Sequence, residues 1–203
     1  MPHPPNVTSD ARTQLLLLLR ERSYMEGDFI LSSGKRSTFY VDMKKTTYDA
    51  RGRELLGAAI ADWLEQEQLV PDSIGGLTLG ADAIAHAVGT ELHRRGRAVR
   101  EASVRKSPKD HGRMRLIEGN FEPGDRVLVL DDVVTTGEST IRAIDAFRAE
   151  GGTVLAALAI VDRKQGGTEN ITARDVRFAA LFTIDEIKNA PARRSPAAGA
   201  APV

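Results

Sequence analysis

The stretch Arg126-Val-Leu-Val-Leu-Asp131-Asp132-Val133-Val134-Thr135-Thr136-Gly137-Glu138-Ser139-Thr140 limits the possible folds of this chain more than any other. Val127 to Leu130 is a continuous apolar run, which suits a strand buried on both faces. It closes on two adjacent carboxylates, and a Thr-Thr-Gly-x-Ser turn follows. From Glu138 onward Ile141, Ile144 and Phe147 recur at helical spacing, and Gly151-Gly152 supplies the stop. The order is buried strand, acidic edge, hydroxyl- and glycine-containing loop, helix N-terminus.

Each part has a chemical use. A loop feeding a helix N-terminus offers an anion unpaired backbone N–H groups and the positive end of the helix dipole. Gly137 permits close backbone approach, and Thr135, Thr136, Ser139 and Thr140 bring hydroxyl donors. Asp131 and Asp132 would repel a phosphate, so they better suit neutral hydroxyls as donors to them. A phosphate and a diol a few ångströms apart describe a ribose 5-phosphate. The same order also suits a strand that ends in aspartate for solubility and an ordinary capped helix, and spacing alone does not separate the two.

The remaining chain is that of one globular α/β domain. Its 203 residues can bury a sizeable core, with 41% hydrophobic and 28% charged residues. Lys plus Arg and Asp plus Glu number 28 each, so no global charge draws the chain to nucleic acid or membrane. The absence of cysteine excludes disulfides, thiolate metal sites and a cysteine nucleophile, and it is compatible with a reducing cytoplasm. Residues 1–8 are expected to be a flexible terminus, 9–189 a single domain, and 190–203 a disordered Ala/Pro-rich tail. Leu15 to Leu19 is too short for a signal core and better suits an amphipathic helix capped at Ser9 or Asp10 and running to about Ser23. No run approaches a transmembrane span. A helix from Asp49 to about Gln68 carries Leu55, Leu56, Ala59, Ile60, Trp63 and Leu64 on one stripe, which marks Trp63 as core. Ser73 to Asp82 forms a second strand-to-loop edge, leading into a helix through His93. His86 and His93 make no metal-binding pattern. Further strands are expected at 99–104, about 153–161 and 176–182, and a short helix from Ile184 to about Asn189.

A second informative stretch is Arg105-Lys106-Ser-Pro-Lys109-Asp110-His111-Gly112-Arg113-Met-Arg115, strongly cationic within a neutral chain. Pro108 and Gly112 argue against helix. No aromatic residues are interleaved, as a single-stranded nucleic-acid surface would require. A solvated charged loop is one reading, and a mobile lid that brings positive charge to an anionic leaving group is the other.

Together these stretches resemble the type I phosphoribosyltransferases. The 126–140 stretch resembles that family's phosphoribosyl-pyrophosphate (PRPP) motif, and Arg-Lys-x-x-Lys-x-His-Gly matches the catalytic lid of its orotate-specific members. The resemblance implies a central, mostly parallel sheet flanked by helices, with a small N-terminal hood within about residues 24–47. It further implies transfer of ribose 5-phosphate from PRPP to orotate, through a transition state resembling an oxocarbenium ion. PRPP would then be held by Arg105, Lys106, Lys109, His111, Asp131, Asp132 and the run Val133, Val134, Thr135, Thr136, Gly137, Glu138, Ser139. Catalysis would rest on Lys109 first, with Arg105, Lys106, His111, Asp131 and Asp132. Orotate would meet Thr135, Arg163 and Tyr40, although alone the hood suits an ordinary hairpin and Arg163 a surface arginine. Mg²⁺ is expected through the oxygens of PRPP, and a homodimer in which each lid reaches the neighbouring site. Two departures stand out: Ser32 replaces a lysine common in the hood. Leu79 and Gly80 replace a Tyr-Lys pair common in the diphosphate loop, leaving backbone N–H groups from Leu79 to Asp82. Specificity for another base, or a non-catalytic PRPP-sensing regulator, are the alternatives; the intact lid motif speaks against the regulator.

Overall fold

A six-stranded sheet carries the structure, a computed structural model described for residues 10–30, 36–107 and 116–191. Its strand order is β5-β4-β3-β6-β7-β8. The strands are β3 (Ser73–Leu77), β4 (Arg100–Val104), β5 (Ile117–Gly119), β6 (Arg126–Val134), β7 (Thr153–Asp162) and β8 (Phe178–Thr183). All neighbours run parallel except the short edge strand β5, which is antiparallel to β4. A separate antiparallel hairpin, β1 (Tyr24–Ile30) with β2 (Arg36–Val41), forms the hood. The turn joining them, with Ser32 and Lys35, lies outside the described residues, as do 1–9 and 192–203.

The helices cover both faces of the sheet. On one side are α1 (Asp10–Leu18), continued by a wider turn over Leu19–Ser23, then α3 (Ala50–Gln66), α4 (Asp82–Arg94) and α7 (Ile184–Asn189). On the other are α5 (Glu138–Ala149) and α6 (Gly167–Thr172). The expected apolar stripe of α3 is buried from Leu55 to Leu64, Trp63 completely, and the Asp49 carboxylate caps the helix by accepting from Gly52 N–H at 2.9 Å. A four-residue helix, α2 (Lys44–Thr47), precedes it and has no counterpart in the sequence expectation. Ala190, expected to begin the tail, is buried.

The side-chain period of two explains why β6 had to be apolar throughout. Leu128 and Leu130 enter the core beneath α3 and α4, while Val127 and Val129 enter the core beneath α5. Contrary to the expectation, the strand does not stop at the acidic pair but runs on to Val134. Pairing with β3 ends at Val129, but pairing with β7 continues to Val134 opposite Asp162. Asp131 and Asp132 therefore lie inside a strand, held by β7 on one side and freed from β3 on the other.

Close approach at β3 depends on Gly76. A Cβ there would meet the Leu130 carbonyl at 2.0 Å and the Ala81 Cβ at 2.8 Å. Gly76→Ala is expected to destabilise the chain by roughly 2 kcal/mol, by overpacking against backbone. Urea unfolding should show a lower midpoint at unchanged slope.

Candidate active site

The two carboxylates are separated by the pleat of β6. Asp131 shares the parity of Val127 and Val129 and turns toward α5, where the Thr140 hydroxyl donates to its Oδ2 at 2.6 Å. Its Oδ1 accepts the Asp132 backbone N–H at 2.9 Å. Asp132 shares the parity of Leu128 and Leu130 and turns toward the loop that follows β3; a Cβ on Gly80 would sit 3.0 Å from its Oδ1. Burial raises the pKa of both carboxyls above the ordinary aspartate value, and for Asp131 the neighbouring charge of Asp132 adds to it, to about 7. The pair is thus a desolvated, self-repelling acidic site that would be relieved by hydroxyl donors or a cation.

Both carboxylates open into a cleft of about 270 Å³ at the carboxyl ends of β3 and β6. Thr78, Leu79 and Gly80 form one wall, and the Thr78–Leu79 peptide is cis. Lys44 and Tyr48 from the α2 segment form another, and Lys106 and Ser139 complete it. Asp82, in the first turn of α4, is fully engaged: Thr78 Oγ1 donates to it at 2.7 Å and Ser103 Oγ donates to its other oxygen. Those two hydroxyls tie an acid away from the wall where an anion would lie.

The loop from β6 to α5 has the form its residues implied. Gly137 adopts a left-handed conformation (φ 82°), and a Cβ there would press on Ile171 at 2.9 Å. No side chain caps α5, so the first N–H groups after Gly137 have no intrahelical or capping partner among the described residues. Thr136 and Ser139 are exposed beside them, as is Glu138; Thr135 is half-buried. Val133 N–H donates to Asp132 at 2.8 Å. Val134 differs: its side chain is in the core and its carbonyl accepts the Arg163 N–H at 2.9 Å, so it sets the take-off of the loop.

That backbone bond brings Arg163 beside the loop, one residue past the end of β7. Its guanidinium lies over the Phe39 ring of the hood at 4.9 Å, and Lys188 lies over the same ring at 4.1 Å. Burial lowers the Arg163 pKa, and its Nε is buried without an acceptor among the described residues. A guanidinium whose buried Nε lacks an acceptor fits a carboxylate-bearing ligand. The hood aromatic that meets it is Phe39, whereas Tyr40, expected at the base, lies on the other face of the hairpin against Phe29 at 5.7 Å between ring centroids. Adjacent strand residues point to opposite faces, so only one of the two could turn inward.

The described start of the lid borders this site. Lys106 lines the cleft, and its carbonyl accepts from Arg142 of α5 at 2.7 Å, which roots the lid. Arg105 is turned to Glu118 at 3.4 Å. Lys109 and His111 lie outside the described residues. Sequence reasoning missed Lys44, Tyr48 and Phe39; α2 is too short for a helical period to show.

An acidic pair and an uncapped helix N-terminus at the carboxyl end of a parallel sheet, with a hood above, define a phosphoribosyltransferase of type I. No protein-family model matches the chain. Over 179 residues it is 43% identical to the orotate phosphoribosyltransferase of Aquifex aeolicus, covering 87% of this chain and 97% of that one. The Mycobacterium tuberculosis H37Rv orotate phosphoribosyltransferase in complex with Fe(III) dicitrate superposes with a TM-score of 0.77 at 37% identity, covering 87% of this chain and 98% of that one. The same mycobacterial enzyme in complex with PRPP gives 0.74 at 33% identity, covering 88% and 99%. The chain belongs to the orotate phosphoribosyltransferase family.

The acidic pair gives a pH-dependent prediction. Its folded-state pKa values lie above those of an unfolded carboxylate, so protonation favours the fold. The penalty is absent below about pH 4 and complete above the raised values. Asp132→Asn should therefore melt at a higher temperature than wild type at pH 8, and the difference should shrink as the pH is lowered toward 5. Thermal unfolding followed by circular dichroism measures it; a variant less stable at pH 8 would contradict the electrostatic account.

Proposed function

We propose that the chain transfers ribose 5-phosphate from PRPP to orotate, releasing diphosphate and forming orotidine 5′-monophosphate in UMP biosynthesis. The observation that carries this is Arg163: a half-buried side chain whose Nε is buried without an acceptor among the described residues, set beside the β6–α5 loop and against Phe39 of the hood. A planar pyrimidine bearing a carboxylate answers both features, since the guanidinium can pair with the carboxylate and Phe39 can flank the ring.

The 5-phosphate sits on the α5 N-terminus, bound by N–H groups and hydroxyls from Thr135 to Ser139. Asp132 and Asp131 accept the ribose diol and, as carboxylates, favour positive character on the ring as the bond to diphosphate lengthens. Lys106 faces the leaving diphosphate. Lys109 and His111, with Arg105 after it leaves Glu118, would add charge when the lid closes. Catalysis is then positioning and electrostatic stabilisation without a covalent nucleophile. Mg²⁺ fits as a cation carried in on PRPP oxygens, because Asp132 presents a repelled carboxylate to the cleft while no cluster of three acidic or imidazole ligands occurs among the described residues. When bound it would neutralise diphosphate oxygens. A homodimer with lids exchanged between sites, and a cytoplasmic location, complete the proposal. The first rests on family resemblance and the second on the cysteine-free composition.

Loss of orotate absorbance on adding PRPP and Mg²⁺ tests the assignment; an inert wild type that still binds PRPP would overturn it. Arg163→Ala is expected to lower kcat/KM for orotate roughly a hundredfold, with the KM for PRPP little changed, as removal of a charged bidentate contact would do.

A further inference from the structure

The short helix α2 is held rigidly although it has only four residues. Asp42 N–H donates to the Ser23 carbonyl at 2.9 Å, and the Ser23 and Thr46 hydroxyls bond at 2.7 Å. Met43, Thr46 and Thr47 are buried at 2%, 0% and 4% exposure. The helix also abuts α3 so closely that a Cβ on Gly52 would lie 2.0 Å from the Thr46 carbonyl. Two exposed lysines project from this platform and diverge. Lys45 reaches Met25 of the hood, its Nζ 3.6 Å from the sulfur. Lys44 lines the same cleft as Gly80 and Lys106, and its charge is felt by Asp132.

We infer that Lys44 binds the diphosphate of the substrate from across the cleft, supplying the cation that the Thr78–Gly80 wall lacks. The inference rests on the proposed phosphoribosyl transfer and adds a residue to it. Among the described residues four charged ones line the cleft, Asp131 and Asp132 against Lys44 and Lys106. Lys106 belongs to the start of the lid. Lys44 stands on buried scaffold, so its ammonium is present before the lid acts. Leu79 and Gly80 put no charge on their wall, and a longer side chain at position 80 would crowd Asp132. The space left there matches an anion flanked by the loop N–H groups on one side and Lys44 on the other. Lys44 therefore serves capture of PRPP and retention of diphosphate, while the ribose and 5-phosphate are held elsewhere.

The test uses the full chain as wild type, Lys44→Ala, Lys44→Arg and Lys45→Ala, with Mg²⁺ present. Lys44→Ala should raise the KM for PRPP and the inhibition constant of inorganic diphosphate about tenfold or more. Inhibition by orotidine 5′-monophosphate, which has no diphosphate, should change by less than about twofold. Lys44→Arg should recover most of the loss and Lys45→Ala should behave as wild type. An unchanged diphosphate constant in Lys44→Ala would overturn the inference. Equal weakening toward diphosphate and nucleotide would also do so, because Lys44 would then be balancing Asp132 and not binding substrate. If wild type consumes no orotate, the proposed reaction fails on its own, and calorimetric binding of diphosphate to the same four proteins still decides the role of Lys44.

Discussion

Burying two adjacent carboxylates at the end of a central strand is the constraint on which the rest of this site depends. The chain can tolerate it because each acid is dealt with separately. The pleat turns Asp131 to α5, where the Thr140 hydroxyl and the Asp132 amide satisfy it. Asp132 is left toward the cleft, where its charge is available to a ligand. The apolar residues preceding the pair do the structural work of fixing that parity. Moving the register of β6 by one residue would exchange the two roles and expose its valines and leucines to the wrong cores.

Much of this was legible in the sequence for a physical reason. A parallel strand buried on both faces must be continuously apolar, and a loop that meets phosphate needs glycine and hydroxyls, so residues 127–140 announce both fold and chemistry. The stripes of α3 and α5 were equally plain, because long amphipathic helices repeat their signal several times. What escaped notice was short. Helix α2, strand β5 and helix α6 have four, three and six residues, too few for a period to stand above chance. Direction was also hidden: the pattern Phe39-Tyr40 shows that one aromatic residue faces inward, but not which. Tertiary packing against Tyr24 and Arg163 selects Phe39.

The division of labour across the cleft follows from where each element is anchored. In the proposed reaction the sugar-phosphate side is built on β6 and α5, deep in the sheet. The base side joins β7 to the hood through Arg163 and Phe39. The diphosphate side is built on β3, on α2 and on the lid root, where the Lys106 carbonyl accepts from Arg142.

The parting of β6 from β3 after Val129 has a consequence for how such a protein can change. The chain leaves β3 through α4 to one side and β6 through α5 to the other, so a crevice at the topological switch point is produced by connectivity alone. No side chain is needed to hold it open. Exposed residues along the rim, such as Leu79 and Tyr48, can therefore be exchanged without cost to the core beneath them. If the cleft holds an anion as proposed, the fold preserves its place while leaving open which element supplies the counter-charge.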